Sequence, residues 1–195
     1  MSIKGGTEDQ KTVFYTALYH TMIDPRNITD LNGDYPGGDG KIHRTDRFHK
    51  RSIFSGWDVF RSQFPLQTII NPSVVSDMIS SLTDLAEESG KGYLERWELL
   101  NAYTTCMLGN PAVVVFADAY NKGIRNYDVP KAYQYARNSC EKFGNNGNNL
   151  FGRRSVSQTL EYSFDEWCLS QLSDTLHHPD DVSVFSKRSQ TYQSM

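Results

Sequence analysis

The sequence predicts an all-α fold built from helical hairpins, and three observations carry that prediction. Proline recurs just behind a capping type of residue, at Asn71-Pro72, Asn110-Pro111 and Asp128-Val129-Pro130, and His178-Pro179 opens a further helix. The first residue can take a free backbone N–H, and proline is tolerated in the first turn because its missing donor has no partner there. Apolar residues then return every three or four positions. The connections alternate between short and long, which suits hairpins whose long connections gather on one face. No repeat of the tetratricopeptide or ankyrin kind is present.

Taken in order, Thr7-Glu8-Asp9-Gln10 opens the first helix. Thr7 caps, Gln10 reaches back, and the acids suit the positive end of the helix dipole. Phe14, Leu18 and Met22 give it an apolar face, and Asp24-Pro25 ends it. The stretch DPRNITDLNGDYPGGDGKIHRTD is dense in Gly, Pro, Asn and Asp, so it reads as loop, with minor short strands near residues 30–50 around DGKIHR. Asp30, Asn32 and Asp34 imitate the start of a calcium-binding EF-hand, but Tyr35 stands where glycine belongs and Lys41 where the bidentate Glu belongs. Turn chemistry accounts for these residues instead. Asn27-Ile28-Thr29 spells a glycosylation sequon, a triplet frequent by chance.

Gly56 to Gln63 is expected to be helical, with Pro65 bending or restarting the helix. After Asn71-Pro72, Val74, Val75, Met78, Ile79, Leu82 and Leu85 mark a buried face that Gly90 terminates. Asn110-Pro111 opens AVVVFADAYNKG, with Gly123 as its stop. The next helix runs from Asp128 to about Ser139, and EKFGNNGNNLFGRRS reads as loop. Ser157 to Leu176 is expected to bury Leu160, Phe164, Trp167, Leu169 and Leu172. From His178 a last helix runs to the end with Val182, Phe185, Ser189 and Tyr192 on one side, so the chain breaks off inside a helical pattern.

A length of 195 residues fits one domain or a piece of a larger one. The net charge of -3 gives no basic face on which a phosphate backbone would dock, and the basic runs HRTDRFHKR and GRR are offset by nearby acids. No nucleic-acid partner is expected. The longest apolar run, AVVVFA, is far short of the ~20 residues that cross a bilayer, so no membrane partner is expected either. MSIKGGTEDQ has no apolar leader, and a chain complete at that residue is expected in the cytoplasm. Cys106, Cys140 and Cys168 match neither a zinc spacing nor a disulfide framework, and each reads as a small buried apolar residue.

Several side chains invite a functional reading. Asp58 directly follows Trp57 in the aromatic stretch SIFSGWDVFRSQF, and Arg61 lies one helical turn on. Residue by residue, this is a core tryptophan beside a surface Asp–Arg pair. Glu161, Asp165 and Glu166 resemble an acid pair; Glu161 and Asp165 share a helix face, but acids flanking a substrate need facing helices, so structural roles are expected for all three. Asp118 is expected to bond a neighbouring helix or loop, and Glu98, beside Trp97, is a candidate for a pocket rim. His20, His43 and His49 show no metal spacing, and His177-His178 are expected to be exposed.

Five strings in succession carry a resemblance: YTALYHTMIDPRNITDLNGDYPGGDGKIH, FSGWDVFRSQFPLQTIINP, DMISSL, CMLGNPAVVVFADAYNKGI and VSQTLEYSFDEWCLSQL. In this order they resemble the catalytic region of glycoside hydrolase family 92, the calcium-dependent exo-acting alpha-mannosidases. The resemblance implies that residues 1–195 are part of an (α/α)6 toroid, an inner ring of helices inside an outer ring with a sugar pocket at one end. It implies an excised segment, without the family's N-terminal β-sandwich and the C-terminal part of the toroid. An inverting glycosidase needs an acid and a base ~6.5–9.5 Å apart. In the family these are a Glu in a motif like Thr-Glu-Gly/Ala-Asn-Ala-Trp and an Asp in one like Gly-Asn-Asp/Glu-Asp, and neither string occurs here. The resemblance therefore implies no catalytic residue and no metal ligand in this chain, with the family's calcium held largely by later residues.

What the resemblance does carry over is Trp57-Asp58, which matches a Trp-Asp pair lining the pocket for the terminal mannose, and the helical spacing of Arg61 then suits it to hold the carboxylate. The implied partners are a mannose-containing glycan and the remainder of the parent polypeptide, and the implied compartment is secreted or periplasmic in a bacterium. Two rival readings differ in class. One is a non-catalytic helical module binding carbohydrate or protein. The other is an unrelated toroid enzyme such as a polysaccharide lyase, which needs a Tyr/His or Arg/His pair across its cleft.

Overall fold

The computed structural model of the chain describes residues 2–145 and 155–195. Helix α1 spans Glu8–His20, α2 Gly56–Val59, α3 Gln63–Ile70, α4 Pro72–Glu88, α5 Pro111–Asn121, α6 Val129–Phe143, α7 Ser155–Thr175 and α8 Pro179–Ser189. Short antiparallel pairings fill the connections. Strand β1 (Arg26–Asn27) pairs with β4 (Arg51–Ser52), β2 (Asp34–Pro36) with β3 (Ile42–Arg44), and β5 (Phe54–Ser55) with β6 (Trp97–Leu99), which also pairs with β7 (Ala102–Tyr103). The β2–β3 hairpin is the strand pair expected near residues 30–50. Asn32 and Asp34 do turn chemistry in it: Asn32 Oδ1 accepts the Asp34 N–H at 3.1 Å, and Asp34 holds Arg44 at 2.6 Å.

Helix α5 sits at the centre. Its residues from Pro111 to Ala117, and Ala119, are buried, and a helix apolar on every side belongs inside. Helices α3, α4, α6 and α7 pack around it, and α8 packs on α7. The α4 face is buried as expected at Val75, Met78, Ile79, Leu82 and Leu85. Gly123 ends α5 with a φ of +84°, while the Ile124 N–H reaches the Ala119 carbonyl at 3.0 Å, so a residue free to turn left-handed closes the last turn. The caps divide. Thr7 and Gln10 exchange both hydrogen bonds of a capping box, and Asp128 Oδ1 accepts from the Lys131 N–H at 3.1 Å. Asn71 and Asn110 precede their helices but cap nothing with their side chains.

Five expectations are corrected. Helix α1 buries no residue; Val13 and Tyr19 are open to solvent and Phe14 is more than a third exposed, because among the described residues no element lies over its apolar face. In α7 the stripe Leu160, Phe164 and Trp167 faces outward, each more than 40% exposed, and only Leu169 and Leu172 of the expected face are buried. The inward face instead carries Tyr162, Asp165, Glu166 and Cys168. Its acids end backbone donors of neighbouring segments, which the apolar rhythm does not register. The segment after Ser55 is a single turn, α2, and a separate helix starts at Gln63 with Pro65 in its first turn. The last helix stops at Ser189 and a 3₁₀ turn, Thr191–Ser194, follows with Tyr192 exposed. Helix α6 continues to Phe143, four residues past the expected end, and the remainder of the expected loop, residues 146–154, lies outside the described residues.

Candidate functional site

The candidate rim begins with a close approach of two backbones. Gly56 N–H donates to the Arg96 carbonyl at 3.1 Å, and a Cβ on Gly56 would lie 2.5 Å from that oxygen and 2.5 Å from Pro111 Cγ. Only glycine allows β5 to run into α2 here, hard against the start of α5. The single turn of α2 then presents Trp57 half-buried and Asp58 exposed. Trp57 Nε1 donates to Glu161 Oε1 of α7 at 3.1 Å. Among the described residues Asp58 has no hydrogen-bond or ion-pair partner.

Arg61 does not reach Asp58, the role the helical spacing gave it. Its Nε donates to the Trp57 carbonyl at 3.2 Å, its guanidinium lies over the Trp57 and Phe60 rings at 5.6 and 4.7 Å, and Nη2 stands 3.9 Å from Glu161 Oε1. Beside Arg61 opens a hollow of about 520 Å³ lined by Phe60, Val114, Asp118, Phe164 and Trp167 among others. Trp57 and Asp58 are not among its lining residues.

The three acids of LEYSFDEW separate by role. Glu161 stays partly exposed at Trp57. Asp165 is buried and accepts the Asn110 N–H on Oδ2 at 2.5 Å. Burial first, then the charges of Glu161 and Glu166, hold its carboxyl well above the usual carboxylate range against that hydrogen bond. Glu166, fully buried, accepts the Asn145 N–H at 3.0 Å and stands 3.8 Å from Arg188. Burial pushes it up to about 8, opposed by Arg188 and the Asn145 N–H. All three lie on one helix, so no pair of them faces across a space.

The remaining candidates are structural. Glu98 is not at a rim; it is buried and accepts from Ser52 Oγ at 2.7 Å and from the backbone N–H groups of Ile53 and Asn101. Asp118 pairs with Lys122 of its own helix at 2.7 Å rather than with a neighbouring element, although Lys122 also reaches Thr68. Cys140 and Cys168 are buried, whereas Cys106 is exposed, because the loop before α5 turns it outward. His177 and His178 are exposed, and His178 stacks on Tyr133 at 4.4 Å. Among the described residues no three His, Cys, Asp or Glu side chains are arranged to hold an ion. No local signal points to the Glu161 contact, since its partner is 104 residues away.

Comparison with known proteins places the chain among the glycoside hydrolases. It belongs to glycosyl hydrolase family 92, whose catalytic-domain model matches residues 1–195. Among solved structures it is similar to the family GH92 alpha-mannosidase BT3965 from Bacteroides thetaiotaomicron in complex with mannoimidazole, with 28% identity and a TM-score of 0.87 over 94% of this chain and 26% of that one. It is also similar to the inverting mannosidase BT2199 from Bacteroides thetaiotaomicron VPI-5482, with 25% identity and a TM-score of 0.82 over 98% of this chain and 28% of that one. The chain thus spans about a quarter of the length of these relatives. No curated protein sequence matches it. The fold is accordingly all-α, part of the helical toroid of this family.

Proposed function

We propose that this chain is part of an inverting exo-alpha-mannosidase and supplies Trp57 and Asp58 to the pocket for a terminal mannose. The observation that supports this is the contrast at α2: the indole is fixed from α7 at 3.1 Å, while the neighbouring carboxylate is exposed and uncommitted. A carboxylate accepts hydrogen bonds from two adjacent hydroxyls, and an indole offers an apolar wall to the C–H face of a sugar. In this reading the acid that protonates the leaving oxygen and the base that activates water come from the remainder of the parent polypeptide. Among the described residues no three His, Cys, Asp or Glu side chains are arranged to hold the family's calcium, and in this reading its ligands come largely from later residues. When bound, that ion would polarise sugar hydroxyls; the side chains of this segment bind and orient the ring.

Titration of methyl α-mannoside against tryptophan emission tests the reading. A saturable change is expected from the unaltered chain and none from Trp57→Phe. Asp58→Asn is expected to weaken the response about tenfold, the cost of a hydrogen bond to a charged group. An unchanged response in Asp58→Asn counts against the pocket. An aryl α-mannoside is expected to stay intact with the isolated chain; turnover abolished by Asp165→Ala or Glu166→Ala would mean that the acid and base are here after all.

A further inference from the structure

We infer that Glu161 is a positioning residue that sets the orientation of the Trp57 indole, and through it the sugar-facing surface of α2; the consequence for sugar rests on the mannose reading above. Four observations converge on it. The indole N–H has one acceptor, Glu161 Oε1 at 3.1 Å. That oxygen also faces Arg61 Nη2 at 3.9 Å, and Arg61 in turn grips the Trp57 carbonyl and lies over its ring. The α2 turn is too short to hold an indole at a fixed angle by itself, having four residues. On its far side Glu161 is backed by a fixed wall: a Cβ on Gly109 would stand 3.6 Å from Glu161 Oε2 and 3.2 Å from Asp165 Oδ2. Asp165, one turn further along α7, anchors that wall through the Asn110 N–H.

The chemistry makes the carboxylate more than a spacer. A charged acceptor binds an indole N–H more strongly than water or an amide does, and Trp Nε1 can only donate. Arg61 above the ring and Glu161 at its edge fix two directions of one plane, which a hydrophobic contact would not do. The partial exposure of Glu161 keeps the clamp at the rim rather than in the core.

The test reads the Trp57 indole directly. In ¹H–¹⁵N spectra of the full chain, Glu161→Ala should move the Trp57 indole resonance and speed its exchange with solvent. The indole resonances of Trp97 and Trp167 should hold their positions. Methyl α-mannoside affinity should fall about tenfold, and Glu161→Gln, which keeps an oxygen acceptor but loses the charge, should recover only part of both. Glu161→Asp provides a second variant in case Ala disturbs folding: it keeps the charge but shortens the reach by one methylene, and should behave like Ala. In a Trp57→Phe background the Glu161→Ala penalty should vanish. A Trp57 indole signal indifferent to Ala and Asp would overturn the proposal. So would an indole that moves while affinity stays put. No sugar response in the unaltered chain would sink the mannose reading, with the clamp still judged by the indole signal.

Discussion

Burial favours the protonated form of Glu166 in the folded chain below about pH 8. Its carboxyl is raised from 4.5 to about 8 by burial, so the folded state holds a proton that the unfolded chain releases across that window. A raised folded value means that this stability is fully present below the unfolded pKa and is lost as pH rises toward about 8. Asp165 is shifted in the same direction. Lys50, whose side chain is buried and whose pKa is lowered by burial from 10.5, works the other way. Urea midpoints are therefore expected to fall between pH 5 and pH 8, by up to about 1.4 kcal/mol per pH unit from a single group. Glu166→Gln should flatten that fall; an unchanged slope in the variant would assign the effect elsewhere. At Gly56 the argument is steric. Gly56→Ala is expected to cost about 1–3 kcal/mol in thermal or urea unfolding, the range for overpacking a dense contact, because neither the Arg96 carbonyl nor the Pro111 ring is free to retreat.

At the scale of elements, what the sequence made legible depended on where the information lay. Helix α5 was legible because its apolar run has only one home, the interior, and its stop at Gly123 needs only a local φ. Helix α4 was legible through its rhythm. Helix α7 was legible as a helix but not in its facing: it has apolar residues on two sides, and the choice between them was made by Asn110 and Asn145, whose N–H groups needed buried carboxylates. The sheet of β5, β6 and β7 was illegible because its strands are two or three residues long and pair across the chain. Of the candidate site, the pocket reading of Trp57-Asp58 came only through resemblance, and the Trp57–Glu161 contact had no sign in the sequence. Helix α1 marks the same limit from another side. Its capping box and apolar spacing are correct locally, yet no residue of it is buried. Deleting residues 1–20 should therefore shift the melting temperature by less than about 4 °C, since a loss under ~1 kcal/mol moves a domain of this size by no more than about 2–4 °C. A larger drop would show that α1 packs against the body in solution.

For the molecule as a whole, the outward stripe of α7 decides how the chain behaves in solution. Leu160, Phe164 and Trp167 stand at helical spacing on one face, with Val156 a turn earlier; Phe164 and Trp167 stack at 6.2 Å, and Phe60 closes on Phe164 at 6.0 Å. Each such side chain gains roughly 1.5–3 kcal/mol when fully buried, so covering three of them gains enough to drive association. An isolated monomer leaves them wet, and a contiguous apolar face of this kind marks a surface made to be covered. The segment reading and the self-sufficient-module reading part here. A module that folds to serve alone should be a monomer, or a symmetric oligomer, with one sharp thermal transition. A toroid segment should associate progressively with concentration and unfold with weak cooperativity. Sedimentation velocity across a hundredfold concentration range separates them. The expected result is a weight-average size that climbs without a plateau. The combined changes Leu160→Lys, Phe164→Glu and Trp167→Lys should hold it near 22.2 kDa with the helical circular dichroism unchanged. A plateau at a defined small multiple would favour the module reading, and a triple variant that climbs as steeply as the parent would mean that this face is not what drives association.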